Sequence, residues 1–178
     1  MAARTPFAGV TRTIEASSTR PQYLGALALL LLGTAAAAFL GAMASVRADD
    51  FYAQLAKPAW APPAGVFGPV WTVLYALMAI AAWLVIRAQG WPRARTAIIL
   101  YSVQLVFNAL WPWLFFRWRL GGAALMEIAV LWILVLLTVR AFWRARPLAG
   151  MLLLPYLAWV WFAAALTYAV WHRNPGAL

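Results

Sequence analysis

Long apolar stretches alternate with short polar segments along most of the chain. Five of the stretches are near the length of about 20 residues that an α-helix needs to cross the hydrocarbon layer of a membrane. Lipid offers backbone amides no hydrogen-bond partners, so each stretch is predicted to be helical. The predicted spans are 23–46, 66–86, 96–116, 120–139 and 148–171. We therefore predict an all-α membrane protein, a bundle of five transmembrane helices.

The segments outside the spans divide the chain into parts. Residues 1–22 are predicted to be a disordered N-terminal tail, 23–174 the transmembrane domain and 175–178 a C-terminal tail. The first span is longer than the apolar core of a signal peptide, so we expect it to be retained. Pro112 and Pro155 lie inside the third and fifth spans, where proline more often kinks a membrane helix than ends it.

Composition supports lipid as the solvent of this chain. Of the 178 residues, 66% are hydrophobic and 10% are charged, whereas soluble domains contain about 25% charged residues. The sequence has no cysteine, which excludes disulfides and thiolate metal sites. No metal ligand set and no obligatory cofactor are predicted.

The net charge of +10 comes from basic residues that are scattered between the spans, which argues against nucleic-acid binding. Such loop charges orient a membrane protein instead. Nine basic residues fall on the N-terminal side of the predicted membrane and five on the other, which favours a cytoplasmic N-terminus in a bacterial plasma membrane. The five are Arg47, Lys57, Arg117, Arg119 and Arg173.

Aromatic residues form stripes on three of the predicted helices. The sequence contains twelve Trp, and those at span ends fit an interfacial belt. Others recur at helical spacing deeper inside, where they share one face of a helix. The stripes are Phe67, Trp71 and Tyr75; Tyr101, Gln104, Asn108, Trp111 and Phe115; and Tyr156, Trp159, Ala163 and Leu166. The buried amides are expected to need hydrogen-bond partners or a cavity. Two interpretations stay open, since the faces either pack together or enclose a pocket for a flat apolar ligand.

Three further features have structural interpretations. Glu127 is the only acid inside a span, and a buried structural role or a place near the membrane surface is favoured over catalysis. His172 is expected at the membrane surface. Small residues at Gly33, Ala37 and Gly41 permit close helix contact, within the bundle or in a dimer.

The segment 47–65 is the one long connection. Within it, Lys57-Pro58-Ala59-Trp60-Ala61-Pro62-Pro63 is stiffened by three prolines. A stiff loop that holds an indole over the bundle is predicted to act as a lid.

At these residues the chain resembles the translocator protein family, also called tryptophan-rich sensory proteins or peripheral-type benzodiazepine receptors. The most specific match joins the lid motif to Gly68-Pro69-Val70-Trp71. Further matches are Gln104-Leu105 with Asn108, Trp111-Pro112, Phe115-Phe116 and Pro155-Tyr156-Leu157-Ala158-Trp159. The resemblance extends over about residues 24–174.

The resemblance implies five helices around a lidded cavity, usually in a homodimer. It also implies binding of porphyrins such as protoporphyrin IX, of drug-like aromatic ligands and, in animal members, of cholesterol. By position, it implies ligand-binding roles for Trp60, Phe67, Trp71, Tyr75, Asn108, Trp111, Phe116, Trp159, Ala163 and Leu166. A sterol-motif-like pattern is formed by Leu166, Tyr168 and Arg173.

Two departures from the family pattern are visible. Phe51-Tyr52 stands where the family often has Trp-Tyr, and Leu166-Thr167-Tyr168 stands where Leu-Asn-Tyr is common. The Ala- and Arg-rich composition points to a bacterial cell envelope, where sterol is not an expected ligand.

Three functions are consistent with the sequence. The leading hypothesis is a membrane receptor for porphyrin-like tetrapyrroles that acts in their sensing, transport or disposal. The alternatives are a light-dependent porphyrin-degrading enzyme and a carrier of small hydrophobic molecules. A catalytic role is not favoured, because no acid–base pair or metal site is recognisable.

Overall fold

The described part of the chain is built from helices joined by short turns. The computed structural model describes residues 20–178, with side chains from Leu24 onward. No strand occurs among these residues, in agreement with the predicted all-α fold. The elements are α1 (Arg20–Ala44), α2 (Ala48–Gln54), a 3₁₀ turn (Ala64–Val66), α3 (Phe67–Pro112), a π-helical turn (Trp113–Arg117), α4 (Gly121–Ala145) and α5 (Pro147–Arg173). Apart from the first residues of α1, the predicted tail lies outside the described residues.

The long helix α3 folds back on itself at Gly90. The backbone of Gly90 is not helical, with φ 71° and ψ 162°. Tyr75 and Asn108 are 33 residues apart, yet a hydrogen bond of 2.5 Å joins them, whereas a straight helix would separate them by about 50 Å. Residues 67–89 and 91–112 are therefore two antiparallel arms, called here the first arm and the second arm. Pro92 lies in the first turn of the second arm, where the missing N–H removes no helical hydrogen bond.

Within residues 20–178, four helices are long and apolar enough to cross a membrane. They are Leu24–Ala44, Ala64–Arg117, Gly121–Ala145 and Pro147–Arg173. The second of them contains both arms of α3, so the fold offers five apolar helical segments.

The helix directions follow from contacts between distant residues. Thr34 Oγ1 lies 2.5 Å from Tyr101 Oη, and Trp113 Nε1 donates to the carbonyl oxygen of Leu40 at 3.1 Å. The helix α1 therefore runs parallel to the second arm. One end of the bundle, called here the lid end, holds the segment 45–66, the turn at 117–120 and the C-terminus. Gly90 and the α4–α5 junction lie at the opposite end.

The core lies between α3, α4 and α5. Alanines at the contacts, such as Ala79, Ala82, Ala94 and Ala149, are fully buried and let the backbones approach closely. Larger side chains fill the space between them. The largest of these are Tyr101, Tyr156, Phe142, Met78, Leu131 and Leu153. This packing fixes the relative positions of the helices that form the site described next.

The structure also contains local features that the sequence analysis did not predict. The helix α2 lies inside the segment 47–65, with Asp49 and Asp50 in its first turn. Pro112 ends the regular part of α3, which continues as the π-helical turn. By contrast, α5 continues through Pro155, as the sequence predicts.

Candidate functional site

A cavity of about 530 Å³ lies at the lid end of the bundle. This volume is in the range of about 300–1,000 Å³ that is typical of small-molecule sites. All helical elements contribute to its wall, including α2 and the 3₁₀ turn. Among the described residues of the wall, Asp49 is the only one with a charged side chain. The cavity is therefore suited to a mostly apolar ligand.

Aromatic rings form one side of this cavity. The ring of Phe67 lies 6.0 Å from that of Trp159, and Trp71 lies 6.1 Å from Tyr156. Trp111 of the second arm stacks on Phe115 of the π-helical turn, with centroids 5.0 Å apart. Three helices thus bring aromatic faces together around one space, which is the arrangement that binds a flat ring by stacking.

Nine of the ten predicted ligand-binding residues line the cavity. They are Phe67, Trp71, Tyr75, Asn108, Trp111, Phe116, Trp159, Ala163 and Leu166. Trp60 does not line it. Its ring lies on the lid, half exposed, with its centroid 5.7 Å from that of Phe162. Ligand binding by all ten residues stays a prediction.

A chain of hydrogen bonds lies on the inner side of the cavity. Tyr75 Oη donates to Asn108 Oδ1 at 2.5 Å, and Asn108 Nδ2 donates to Tyr156 Oη at 2.9 Å. Tyr156 Oη in turn donates to Gln104 Oε1 at 2.7 Å. The two buried amides thus have the partners that the sequence analysis expected of them. The chain joins both arms of α3 to α5 and holds the aromatic faces in register.

The lid is fastened to the bundle by specific contacts. Asn174 follows the end of α5, and its side chain accepts a hydrogen bond from Ala56 N at 2.9 Å and donates one to Ala56 O at 3.0 Å. Lys57 Nζ donates to three carbonyl oxygens at the end of α2, including that of Tyr52. Burial raises the pKa of Tyr52, whose hydroxyl donates to Pro62 O at 3.1 Å. Lys57 therefore stabilises the lid itself.

Small residues form the other side of the cavity. From α1 come Ala38, Gly41, Ala42 and Ser45, and opposite them lie Gly65, Gly68 and Thr72. The sequence carries no signal that assigns these residues to a pocket. It predicts close helix contact for Gly33, Ala37 and Gly41, within the bundle or in a dimer. Ala37 and Gly41 are buried, with Pro112 Cγ 3.5 Å from a Cβ placed on Gly41, whereas Gly33 is exposed.

The sterol-motif-like residues do not share one surface. Leu166 is buried at the cavity, whereas Tyr168 is 53% exposed and its ring packs on His172 at 4.1 Å. Arg173 Nη1 donates to the carbonyl oxygen of Ala169 at 3.0 Å. Ligand binding by these three residues stays a prediction.

Glu127 is buried on α4 without a hydrogen-bond partner. Its side chain is 8% exposed, and neither carboxyl oxygen has a partner among the described residues. A buried polar group without a partner costs about 1–3 kcal/mol of stability. Glu127 therefore reduces the stability of the bundle.

Replacing Glu127 with Met is expected to stabilise the protein. The change removes two unpartnered oxygens and keeps most of the side-chain volume, so we expect Tm to rise by about 2–4 °C for each kcal/mol gained. Thermal unfolding in a fixed detergent measures the effect. Glu127→Gln is the matched control, with no such gain, because its amide also lacks partners. A lower Tm for Glu127→Met would show that the carboxyl group has a stabilising partner.

The side chains of the cavity wall offer mainly aromatic ring faces. Within residues 20–178, no group of three His, Cys, Asp or Glu residues is placed to hold a metal ion. The Nε1 atoms of Trp111 and Trp159 are buried and have no hydrogen-bond partner among the described residues, so these indoles offer mainly their ring faces. The cavity supplies stacking surfaces, and its amides are already occupied by tyrosines.

The fold and the cavity define a multi-pass integral membrane protein with a ligand-sized space at one end of its helix bundle. Comparison with known proteins gives its family. The TspO/MBR family profile matches residues 26–172. The chain belongs to the TspO/MBR family.

Curated relatives support this membership. The chain is 38% identical over 130 residues to "Tryptophan-rich protein TspO" of Chlorobaculum tepidum, covering 72% of this chain and 82% of the relative. It is 41% identical over 128 residues to "Translocator protein" of Homo sapiens, covering 71% and 76%. It is 37% identical over 131 residues to "Tryptophan-rich sensory protein" of Cereibacter sphaeroides, covering 74% and 81%.

Proposed function

We propose that this protein is a membrane receptor for flat, apolar tetrapyrroles, with protoporphyrin IX as the representative ligand. The observation that carries the proposal is the convergence of Trp71, Trp111 and Trp159 on one cavity. A tetrapyrrole ring presents a large apolar face, and burying that face between indoles is favourable. The names of the relatives as translocator and sensory proteins fit a role in handling such a ligand.

The position of charge supports one orientation of the ligand. The described cavity wall is uncharged except for Asp49, which lies on α2 at the lid end. The tetrapyrrole ring would therefore lie between the indoles, and its carboxylates would point to the lid end, where cations can balance their charge and that of Asp49. The cationic side chains of Arg47 and Arg119 lie at that end of the bundle.

Titration of the detergent-purified protein with protoporphyrin IX tests the proposal. Tryptophan fluorescence should be quenched saturably, with one ligand bound per chain. Quenching that grows linearly with porphyrin, without saturation, would refute it.

Illumination of the complex separates a receptor from a porphyrin-degrading enzyme. If the protein is a receptor, the bound porphyrin should bleach no faster than free porphyrin does in the same detergent.

We further propose that the chain crosses the membrane five times, with the N-terminus in the cytoplasm and the lid outside. The fold-back at Gly90 supports the count, because it turns α3 into two arms of near-spanning length. The distribution of basic residues supports the direction, since nine of fourteen belong to the N-terminal side. A homodimer is also proposed, from the family resemblance alone.

The absence of native cysteine allows a direct test of this topology. Ala59→Cys places a thiol on the exposed lid, and Ala88→Cys places one beside the Gly90 turn. A membrane-impermeant maleimide added to intact cells is expected to label Ala59→Cys and to leave Ala88→Cys unlabelled. Lysed cells are the control, in which both positions should react. Labelling of both from outside would contradict two crossings by α3, and the reverse pattern would invert the orientation.

A further inference from the structure

The two sides of the cavity differ in how firmly they are closed. The lid covers the end of the bundle, and a wall of small residues faces outward between α1 and the first arm of α3. Any ligand has to pass one of these barriers. The contacts that hold each barrier therefore indicate which one opens.

Contacts at three places fasten the lid. Asn174 pairs with both backbone polar groups of Ala56, in the same reciprocal way that two strands pair. The ring of Trp60 lies against Phe162. Across the lid, the Arg119 guanidinium carbon lies 4.6 Å from the centre of the Phe51 ring. Opening the lid breaks all of these contacts.

Around the cavity, no side-chain hydrogen bond between described residues joins α1 to the first arm. Ala42, Gly68 and Thr72 line the cavity and are also exposed. A Cβ placed on Gly68 would have no neighbouring atom within 4 Å, so space remains beside this backbone. A gap lined by glycine, alanine and threonine leaves room for an apolar molecule.

The hydrogen bonds that hold α1 also favour the gap between α1 and the first arm as the barrier that opens. Between described residues, the side-chain hydrogen bonds that join α1 to other elements end on Tyr101 of the second arm and on Trp113 of the π-helical turn. Neither bond crosses the gap to the first arm. The side-chain hydrogen bonds between described residues therefore do not hold Ala42 against Gly68.

We propose that ligands enter and leave the cavity laterally, from the hydrocarbon of the membrane, through the gap between Ala42 of α1 and Gly68 of the first arm. The lid stays fastened during this exchange. An apolar ligand concentrates in lipid, so a route that opens to lipid spares it a passage through water. The inference rests on the proposed function, because it needs a ligand that binds in this cavity.

Stopped-flow quenching with protoporphyrin IX in phosphatidylcholine vesicles measures the two routes separately. Gly68→Leu and Ala42→Leu each narrow the gap from one side. Gly25→Leu is the matched control, because Gly25 also has open space beside it but lies far from the cavity. The double variant Ala56→Cys/Asn174→Cys locks the lid when its disulfide forms, which mass spectrometry verifies. Its reduced form is the unlocked control.

The gap variants are expected to slow both association and dissociation by about tenfold or more. Gly25→Leu and the locked lid should exchange at the wild-type rate. If the locked lid stops exchange until it is reduced, or if both gap variants exchange like the control, the lateral route is wrong. Absence of saturable binding in the wild type would instead refute the proposed function, so the two failures are distinguishable.

Discussion

Trp159→Ala is expected to weaken the binding of protoporphyrin IX about 10- to 100-fold, because removing a buried aromatic anchor typically costs about 2 kcal/mol or more. Trp159 lies at the centre of the aromatic side, with its ring 6.0 Å from that of Phe67 and 5.3 Å from that of Phe162. The substitution removes a stacking surface and enlarges the cavity. Fluorescence quenching by the porphyrin measures the change in Kd.

Two control variants separate stacking from other effects of this change. Trp161→Ala removes an indole that is 64% exposed on the outer side of the same helix, and it should bind like the wild type. Trp159→Phe keeps an aromatic face and loses an N–H group that has no partner among the described residues, so it should retain most of the affinity. Equal weakening by Trp159→Ala and Trp161→Ala would contradict binding in the cavity.

Gly90→Ala is expected to lower Tm by several degrees. The φ of 71° and ψ of 162° at Gly90 lie in a region that is essentially restricted to glycine, and residues held in such regions cost about 1–3 kcal/mol. Because 1 kcal/mol shifts Tm by about 2–4 °C in a domain of this size, the loss should be readily measured. A Cβ at this position would lie 3.9 Å from Pro92 Cδ, which is an ordinary contact, so the penalty comes from the backbone.

The control for this prediction is a glycine that lies inside a helix. Gly25 lies within α1 with nothing within 4 Å of an added Cβ. Gly25→Ala should therefore leave stability unchanged or raise it by up to about 1 kcal/mol, because alanine favours a helix. Thermal unfolding of both variants in the same detergent tests the difference. An unchanged Tm for Gly90→Ala would mean that the turn between the two arms tolerates another conformation.

The sequence predicts a helix well where the length of an apolar stretch alone determines where the helix begins and ends. The predicted span 23–46 corresponds to α1 (Arg20–Ala44), and 148–171 corresponds to α5 (Pro147–Arg173). The turn between the two arms is less predictable. Arginines and Pro92 indicate a break near residue 90, but helical backbone continues on both sides of one glycine. A single residue with positive φ is enough to reverse the chain, and the apolar periodicity of the sequence does not reveal such a residue.

The candidate site is predictable only on its aromatic side. Phe67, Trp71 and Tyr75 recur every four residues, so their common face is visible in the sequence. The side formed by Ala38, Ala42 and Gly68 carries no such signal, because small residues serve equally for helix contact and for open space. The fastening of the lid by Asn174 joins residues 118 positions apart along the chain. Contacts of this kind depend on the assembled bundle and leave no local pattern.

The cavity itself is tested most directly by filling it. Ala163 lies on the cavity wall of α5, and Ala165 is exposed on the outer side of the same helix. Porphyrin titration of Ala163→Trp and Ala165→Trp compares the same change on the two faces. Ala163→Trp should abolish saturable quenching and Ala165→Trp should retain it. Unchanged porphyrin binding by a correctly folded Ala163→Trp variant would contradict the aromatic cavity as the binding site.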